Sequence, residues 1–498
     1  MTLIDAPAAT LMLAALLIPA AGALLIPLFH RAPNLREGVT IITAIALFAV
    51  VLSLLPTVLD GNRPGMGGFQ VLEGLTIAFK IEPLGMLFAL VASSLWIINS
   101  IYSIGYMRGN GEIRQTQFYV CFAVSIAATI ALAFSANLFT LFIFYEVLTL
   151  STYPLVTHKG SKEAKTGGRI YLMILLFTSI GLLLPALVAT YAIAGTLDFR
   201  PEGILSGKIY GPPLYLLLAL FAFGIGKAAL MPIHFWLPSA MVAPTPVSAL
   251  LHAVAVVKAG AFTMLKVVTY IFGLDFLTEA DANTWLVYVA SASLVLASVV
   301  AIAQDNLKAR LAYSTVGQLA YIVLAAALAT STSIVGGGMH IVMHAAGKIT
   351  LFFCAGAIYV AAHKTEISEL DGIGRVMPVT MAAFLIGSLS IIGLPPFGGL
   401  WSKWLIGIGA LDAGHQIAVV VLMLSSLFNV AYLLPIVIRG FMFAPPGTKP
   451  GETVAIKEAP LPCLIALSLT ALSCIVLFFT AGPIETLLRM VFTGGGNG

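Results

Sequence analysis

The sequence has 498 residues, and its 25 Lys+Arg and 21 Asp+Glu amount to 9% of the chain, whereas a soluble domain carries about 25% charged residues. Hydrophobic residues make up 60% and the mean hydropathy is +1.03. These values exclude an ordinary soluble fold and predict an all-α bundle dissolved in lipid. The net charge is only +4 and the basic residues are scattered, which excludes a nucleic-acid-binding surface.

Fourteen apolar stretches are long enough to cross a hydrocarbon core of about 30 Å as helices. They centre near residues 18, 48, 95, 125, 147, 182, 224, 258, 293, 318, 348, 390, 428 and 470. Between the second and third, the segment GMGGFQVLEGLTIAFKIE combines glycines with alternating apolar residues. This pattern predicts a short extramembrane hairpin near residues 64–80.

The loop lysines and arginines test this span count, because they should collect on the cytoplasmic side. One set of alternate loops holds fifteen of them: Arg31, Arg36, Arg108, Arg114, Lys159, Lys162, Lys165, Arg169, Lys308, Arg310, Lys364, Arg375, Arg439, Lys449 and Lys457. The other set holds five: Arg63, Lys80, Arg200, Lys208 and Arg489. The split supports fourteen spans and predicts that both termini lie outside the cytoplasm.

Six charged residues remain inside the predicted spans: Glu146, Lys227, Lys258, Lys266, Lys348 and Lys403. A charge at the bilayer centre costs about 2.5–3.5 kcal/mol on insertion scales, so such residues face partners or water and are functional candidates by default. Moving an opposite charge towards or away from a buried lysine switches it between holding and releasing a proton. Lys266 lies near a span end, where pairing or snorkelling is the simpler interpretation. For Glu146, we expect Lys227 as the partner.

Histidines extend this set of protonatable groups. His340, His344 and Lys348 follow one another at four-residue intervals, which places them on one helical stripe about 12 Å long. His252 shares a predicted span with Lys258, although a packing histidine is an equal alternative there. The stripe lacks a neighbouring carboxylate, cysteine or H-E-x-x-H pattern, and the chain's four cysteines lack C-x-x-C spacing. We therefore expect no metal and no cofactor.

Two predicted spans contain helix-breaking residues beside a lysine. Lys227 precedes Pro232, and Lys403 follows Pro395 and Pro396. Proline removes a backbone donor, so a helix is expected to break where the freed carbonyls can meet water or ions. Interrupted helices in corresponding halves of a transporter indicate inverted repeats and the pathway between them, although ordinary proline kinks are the alternative for either segment alone.

At these residues the sequence resembles the proton-translocating antiporter-like membrane subunits. This family includes subunits of Mrp-type cation/proton antiporters and the L, M and N subunits of respiratory complex I. The resemblance covers roughly residues 80–440 and is carried by FIFYEVLTLSTYPLV, GKAALMPIHFWLPSAMVAPTPVSALLHAVAVVKAG, DNLKARLAYSTVGQLAYI, HIVMHAAGKITLFF and LPPFGGLWSKW. It implies a multi-pass subunit of a larger complex in a bacterial or archaeal plasma membrane.

The family's fold implies two inverted five-helix repeats, with broken helices at spans 7 and 12. The implied divisions are 1–115 for the first three helices and the hairpin, 116–273 for the first repeat, 284–441 for the second repeat, and 442–498 for a loop, helix 14 and the C-terminal tail. The implied proton-translocating residues are Glu146, Lys227, His252, Lys258, His340, His344, Lys348 and Lys403. In some complex I members a glutamate occupies the last position, so Lys403 departs from that branch.

The resemblance implies a proton-conducting subunit of an Mrp-type Na⁺/H⁺ antiporter, with other membrane subunits, H⁺ and Na⁺ as partners. By length the chain fits the Mrp D type or the M and N types, whereas APTPVSALLHAVAVVKAG is closer to the A/L branch. Two alternatives stay open: a proton-pumping subunit of a complex I-like oxidoreductase or membrane-bound hydrogenase, and a non-conducting scaffold. No intrinsic catalytic site is expected. No G-x-x-x-x-G-K-[ST] motif occurs, so energy would come from an ion gradient or a partner.

Overall fold

The architecture is taken from a computed structural model, which describes residues 7–72, 74–445, 447 and 455–493, apart from the His252 side chain. The helices are α1 (Ala8–Leu25), α2 (Pro33–Leu59), α3 (Pro83–Gly109), α4 (Gln115–Ala133), α5 (Leu138–Val156), α6 (Lys162–Thr178), α7 (Leu184–Ala194), α8 (Pro212–Gly224), α9 (Trp236–Ser239), α10 (Thr245–Ala249), α11 (Val256–Lys266), α12 (Leu274–Glu279), α13 (Thr284–Ala303), α14 (Leu307–Ala327), α15 (Ser331–Ala362), α16 (Ile373–Val376), α17 (Pro378–Ile392), α18 (Gly399–Asp412), α19 (Gln416–Met442), α20 (Leu461–Phe479) and α21 (Ala481–Thr493).

The predicted all-α membrane architecture is confirmed. Within the described residues, ten helical segments of at least 18 residues are apolar enough to cross a membrane, and α8 and α17 are shorter apolar helices. Each of the fourteen predicted centres lies in or beside a helix. Several spans are composite, because α6 continues through a π turn at Ser179–Leu183 into α7, and α11 is flanked by π turns at Leu250–Val254 and Val267–Phe272. The chain is therefore a polytopic helical membrane protein.

A two-stranded antiparallel sheet lies between α2 and α3, in the segment where the sequence predicts a hairpin. Its strands are β1 (Gly65–Leu72) and β2 (Leu75–Lys80), and Gly65 pairs with Lys80. The sheet is tied to the bundle because the amide of Asn137 donates a hydrogen bond to the Thr76 carbonyl at 2.8 Å. The Asn137 side chain also caps α5 by accepting from the Thr140 backbone N–H.

Two spans are interrupted. The first stops at Gly224, forms a 3₁₀ turn at Gly226–Ala228 that contains Lys227, and resumes as short helical turns from Trp236. The second stops at Ile392 and resumes at Gly399. Pro232, Pro395 and Pro396 all lie within these interruptions. Helical interruptions expose backbone carbonyls, which must find donors inside the protein.

The core is organised around α15, which is buried along nearly its whole length and packs against α3, α14, α17, α18 and α20. Its start is fixed by a capping box, in which the side chains of Thr330 and Ser333 bond each other's backbone N–H. This helix carries His340, His344 and Lys348 through the middle of the bundle. The division of the chain into two inverted repeats with the boundaries given above stays a prediction.

Candidate functional site: a buried line of lysine and histidine side chains

Lys227 forms the first position of the site. Its side chain is fully buried, and its ammonium donates hydrogen bonds to the Tyr145 carbonyl at 2.7 Å and the Thr149 hydroxyl at 2.6 Å. The same ammonium lies 3.1 Å from the centroid of the Tyr145 ring, a cation–π arrangement. The helical interruption exposes the Lys227 backbone N–H as well, and this group donates to the Tyr145 hydroxyl at 3.0 Å. One turn of α5 therefore holds both the side chain and the backbone of Lys227.

The expected partnership of Glu146 with Lys227 takes the form of an electrostatic interaction without a direct contact. Among the described residues, the ion pairs within 4.0 Å do not include these two. The Lys227 ammonium bonds the neighbouring groups of α5 instead, since Tyr145 and Thr149 lie on the helix face turned towards it. Glu146 still interacts electrostatically with Lys227. Both Glu146 carboxylate oxygens are buried and receive no hydrogen bond within the described chain.

Lys258 and His344 meet at the centre of the bundle. Lys258 lies on α11 and His344 on α15, both are buried, and the Lys258 ammonium nitrogen contacts His344 Nδ1. A lysine amine and an imidazole nitrogen can share a hydrogen bond only if at least one of them supplies a lone pair. This contact is therefore a place where a proton can pass between two helices.

From His344 the line continues along α15 to His340. The two rings are nearly parallel, with centroids 5.8 Å apart. His340 Nδ1 lies 2.9 Å from the Ser402 hydroxyl, and Nε2 lies 3.1 Å from Gln318 Oε1. The Gln318 oxygen can only accept, so Nε2 carries a proton in this arrangement. Both imidazole nitrogens of His340 are thus engaged with polar side chains in a buried setting.

Lys403 lies beyond His340, at the second interruption. The Tyr321 ring stacks on His340 with centroids 5.3 Å apart, and the Lys403 ammonium lies 4.8 Å from the Tyr321 centroid. That ammonium donates to the Ile392 carbonyl at 2.9 Å and to the Ser426 hydroxyl at 3.3 Å. Since Ile392 is the last residue of α17, Lys403 supplies the donor that the interrupted helix lacks. Lys403 is half-buried and lines an apolar groove of about 560 Å³.

Lys348 is buried and points away from the two histidines towards α14. Its ammonium donates to the Ser314 hydroxyl at 2.6 Å and to the Leu311 carbonyl at 3.3 Å. The Ser314 hydroxyl lies 2.7 Å from the Tyr432 hydroxyl, which in turn donates to the Asn429 side chain. Lys348 also interacts electrostatically with Lys258. It forms a side branch of hydroxyl and amide groups rather than a third member of the histidine stack.

Lys266 is paired and buried rather than snorkelling. Its ammonium lies 2.5 Å from the Glu82 carboxylate and donates to the Ser135 carbonyl at 3.0 Å. Phe199 covers it, with its ring centroid 3.9 Å away. Arg63 lines the same small cavity as Glu82, and burial lowers the pKa of this loop guanidinium. These contacts fit the simpler of the two interpretations of Lys266.

The structure therefore brings four of the eight predicted residues into one connected set. Lys258, His344, His340 and Lys403 form a line through contacts and ring stacking, whereas Lys227 meets α11 through its backbone, which packs on Gly260. The His252 side chain lies outside the described residues. Sequence reasoning missed the groups that hold the lysines and His340 in place, directly or through a further side chain, namely Tyr145, Thr149, Ser314, Gln318, Tyr321, Ser402, Ser426, Asn429 and Tyr432.

The lysines of this line share one electrostatic property. In the part of the chain that the structure describes, no ion pair within 4.0 Å includes any of four lysines, namely Lys227, Lys258, Lys348 and Lys403. Their partners are carbonyls, hydroxyls and imidazole nitrogens, which fix position without a permanent negative charge. Such a lysine can lose its proton without leaving a buried carboxylate unpaired. The arrangement suits groups that take up and release protons.

Known proteins share this sequence pattern. Residues 135–429 match the family described as "NADH:quinone oxidoreductase/Mrp antiporter, TM". The chain is 32% identical to the N-type subunit of NADH-quinone oxidoreductase from Desulforudis audaxviator, over 86% of this chain and 84% of that protein. It is 30% identical to the A-type subunit of the Na(+)/H(+) antiporter from Alkalihalophilus pseudofirmus, over 79% of this chain but only 51% of that longer protein.

A solved structure shows the same fold. The Mrp complex of Dietzia sp. DQ12-45-1b contains a chain that superposes with a TM-score of 0.83 at 21% identity, covering 97% of both chains. At this identity the likeness concerns the fold alone. It extends over nearly the whole chain, including the segments that contain both interrupted helices and the helix that carries His340 and His344.

Proposed function

Because the chain belongs to the NADH:quinone oxidoreductase/Mrp antiporter membrane family, we propose that it is the proton-conducting subunit of a multisubunit Mrp-type Na⁺/H⁺ antiporter. The observation that carries the proposal is the contact between the Lys258 ammonium and His344 Nδ1. This contact joins α11 to α15, so that protonatable groups run through the interior from Lys258 towards the second interrupted span. Buried ionisable groups at membrane depth mark ion pathways.

In this proposal the proton moves by stepwise transfer between neighbouring groups. A proton held on Lys258 passes to His344, whose ring then exchanges with His340 through a rotation or a bridging water. Bridging water beside the Tyr321 ring would then carry the proton from His340 to Lys403, which lines the groove between α18 and α19. Among the described residues, Lys258 and Lys403 form no ion pair with a carboxylate, so each can carry the charge transiently.

Glu146 is the gate in this proposal. Its carboxylate is buried without a hydrogen bond from the described residues and acts electrostatically on Lys227. Turning the Lys227 ammonium from the Tyr145 carbonyl towards Glu146 would make the ion pair that is missing in the present state. Moving one charge through 100 mV is worth about 2.3 kcal/mol, which is of the size needed to make or break such a contact. Cation movement by the partner subunits would drive this alternation.

Proton movement by variants of the intact complex tests the proposal. The complex is reconstituted in vesicles, and uptake is followed with a pH-sensitive dye under an imposed sodium gradient. Lys227→Ala and Glu146→Gln should each lower the rate at least tenfold, because each removes one partner of the gate. Lys162→Gln, at the exposed start of α6, is the matched control and should keep the parental rate. Parental rates from Lys227→Ala and Glu146→Gln complexes that assemble fully would reject conduction and favour the scaffold function.

A second setting is favoured by one observation. The chain covers 84% of the quinone oxidoreductase relative but only 51% of the antiporter relative. In this setting the same buried line would conduct protons in a complex I-like oxidoreductase or a hydrogenase. The composition of the purified native complex separates the two settings. Iron–sulfur or flavin absorbance would identify a redox-driven complex, whereas proton uptake driven by sodium alone would identify the antiporter.

A further inference from the structure

A second set of lysines lies away from the buried line, around a cavity of about 160 Å³. Lys159, Lys308 and Lys364 all line it, together with the aromatic rings of Tyr106 and Tyr359. The three lysines come from separate parts of the sequence. Lys159 follows the end of α5, Lys308 is the second residue of α14, and Lys364 follows the end of α15. The fold therefore brings three lysine side chains together, at the C-terminal ends of α5 and α15 and at the N-terminal end of α14.

Acidic side chains lie behind the cavity lining, where Glu366 accepts hydrogen bonds from the lining residues Asn306 and Thr365. Among the described residues, none of the three lysines forms an ion pair within 4.0 Å, and no Asp or Glu lines the cavity. The closest acidic influence on Lys308 comes from Glu112, whose carboxylate lies 3.9 Å from His158. Three ammonium groups around one cavity repel protons and sodium ions, so this cavity does not suit a cation.

Two of the ammonium groups have donors to spare. The Lys308 ammonium donates to the Ala243 carbonyl and the Lys364 ammonium to the Glu369 carbonyl, each at 2.6 Å. The Lys159 ammonium lies 5.6 Å from the Tyr359 ring centroid. Because an ammonium has three N–H donors, each of these carbonyl contacts occupies only one of the three. An anion with several acceptor oxygens could use the others.

We propose that this cavity binds a phosphate-bearing anion. All three lysines belong to the set of alternate loops that holds fifteen basic residues. They lie at helix ends, which is where the headgroups of the lipids lie. Basic pockets between membrane helices on that side suit anionic headgroups. The shared chemistry is a phosphate oxygen on two or three ammonium groups, supplied by an anionic phospholipid or by free phosphate.

Native mass spectrometry of the full chain in its intact complex tests the proposal, with dioleoylphosphatidylglycerol, dioleoylphosphatidylcholine and inorganic phosphate as separate probes. The variant is Lys159→Gln with Lys364→Gln, because Lys308 also holds the Ala243 carbonyl. The matched control is Lys162→Gln with Lys165→Gln, which removes two charges from the start of α6 without touching the cavity.

A lysine near a membrane surface contributes about fivefold in affinity for an anionic headgroup, so the cavity variant should bind phosphatidylglycerol about 25-fold more weakly than the parent. The control should bind like the parent. Saturable binding of phosphatidylglycerol alone identifies a lipid headgroup, and competition by inorganic phosphate identifies a soluble anion. Equal binding by the cavity variant and the control would overturn the proposal. If the double variant does not assemble, Lys364→Gln alone should show the fivefold loss.

Discussion

At the scale of single residues, the contact between Lys258 and His344 is the most consequential in the chain. Both side chains are buried, so neither can exchange its proton with bulk water directly. Their hydrogen bond needs a lone pair on one partner, so the lysine and the imidazole cannot both be protonated while it is formed. A second positive charge would be repelled by the first in a medium of low dielectric constant. The pair therefore carries charge one proton at a time.

Replacing His344 by glutamine should interrupt conduction while keeping the fold. Glutamine has similar size and polarity but cannot accept and release a proton near neutral pH. We expect the rate of proton movement by the assembled complex to fall at least tenfold. A side chain that is positioned to accept and donate a proton typically raises the rate of proton transfer by more than this factor. Dye-monitored uptake in vesicles measures it. Gln416→Asn, on the exposed start of α19, is the control, and an unchanged rate in the His344→Gln complex would contradict a transfer through this imidazole.

Lys266 shows what residue types alone can and cannot indicate. A lysine near a span end predicts pairing or snorkelling, and the ion pair with Glu82 fits this expectation. The partner itself was not predictable, because Glu82 precedes α3 while Lys266 ends α11, and no sequence pattern links the two. The same applies to Tyr145 and Thr149 around Lys227. Their positions on α5 look like ordinary membrane-helix residues until the facing helix is known.

The Lys266–Glu82 pair should contribute to stability rather than to transport. Removing one partner of a buried ion pair leaves an unpaired charge and costs about 3–5 kcal/mol. We therefore expect Lys266→Met to lower the thermal unfolding temperature of the complex, and the double variant with Glu82→Gln to recover part of the loss. Differential scanning fluorimetry measures both. If the losses in unfolding temperature from Lys266→Met and Glu82→Gln simply add in the double variant, the two residues do not act as a pair.

At the scale of elements, the two interrupted helices differ in how far the sequence predicts them. Pro232, Pro395 and Pro396 indicate a break, and all three lie inside one. The first break nevertheless starts at Ile225, well before Pro232 is reached. The cause is tertiary: the Lys227 backbone N–H donates to the Tyr145 hydroxyl of α5 at 3.0 Å, and Trp236 Nε1 donates to the Gly226 carbonyl at 3.0 Å. Bonds from other elements therefore open this helix ahead of its proline.

Gly260 allows α11 to approach this first interruption. A Cβ atom at Gly260 would lie 2.2 Å from the Ala228 backbone nitrogen and 2.3 Å from the Lys227 carbonyl carbon. Backbone atoms cannot rotate away, so Gly260→Ala must push the turn that carries Lys227 away from α11. Overpacking of this kind costs about 1–3 kcal/mol. The close approach therefore fixes the position of the Lys227 backbone against α11.

We therefore expect Gly260→Ala to lower both the thermal stability and the proton-uptake rate of the complex. Gly317→Ala is the matched control, since it is also a buried helical glycine but its Cβ would meet its nearest neighbours at 3.7 Å, an ordinary contact. That variant should keep the parental rate and stability. Scanning fluorimetry and vesicle uptake report the two quantities. Equal behaviour of the two variants would mean that the packing of α11 on the interruption does not position Lys227.

At the scale of the whole molecule, the composition predicts the class of fold, and the charged residues inside the apolar segments predict the site. Both predictions depend on the cost of placing a charge in lipid. Lipid makes charged residues costly, so few are present and those few are used. Hydropathy predicts which segments are apolar enough to span the membrane, whereas it does not predict how the helices are arranged. The central position of α15 depends on packing among many similar apolar surfaces, and no single residue in it specifies this.

The charged residues in the loops also predict how the whole molecule lies in the membrane. Fifteen loop lysines and arginines in one set and five in the other predict that the first set faces the cytoplasm. Thr166, at the exposed start of α6, belongs to the first side, and Asn62, in the exposed loop after α2, belongs to the second. Cysteine substitutions at these two residues report the orientation, because a membrane-impermeant maleimide reaches only the outer side of intact cells.

We expect Asn62→Cys to be labelled in intact cells and Thr166→Cys only after the cells are permeabilised. The parent chain supplies the background, since Cys354, Cys463 and Cys474 are buried and Cys121 is half-buried. The reverse pattern would place the basic loops outside. It would also place the lysine-lined cavity at the outer leaflet. The direction of proton movement through Lys258 and Lys403 would then be reversed. The fourteen-span arrangement places three crossings between Asn62 and Thr166, so the two residues should lie on opposite sides of the membrane. Labelling of both variants in intact cells would contradict this arrangement.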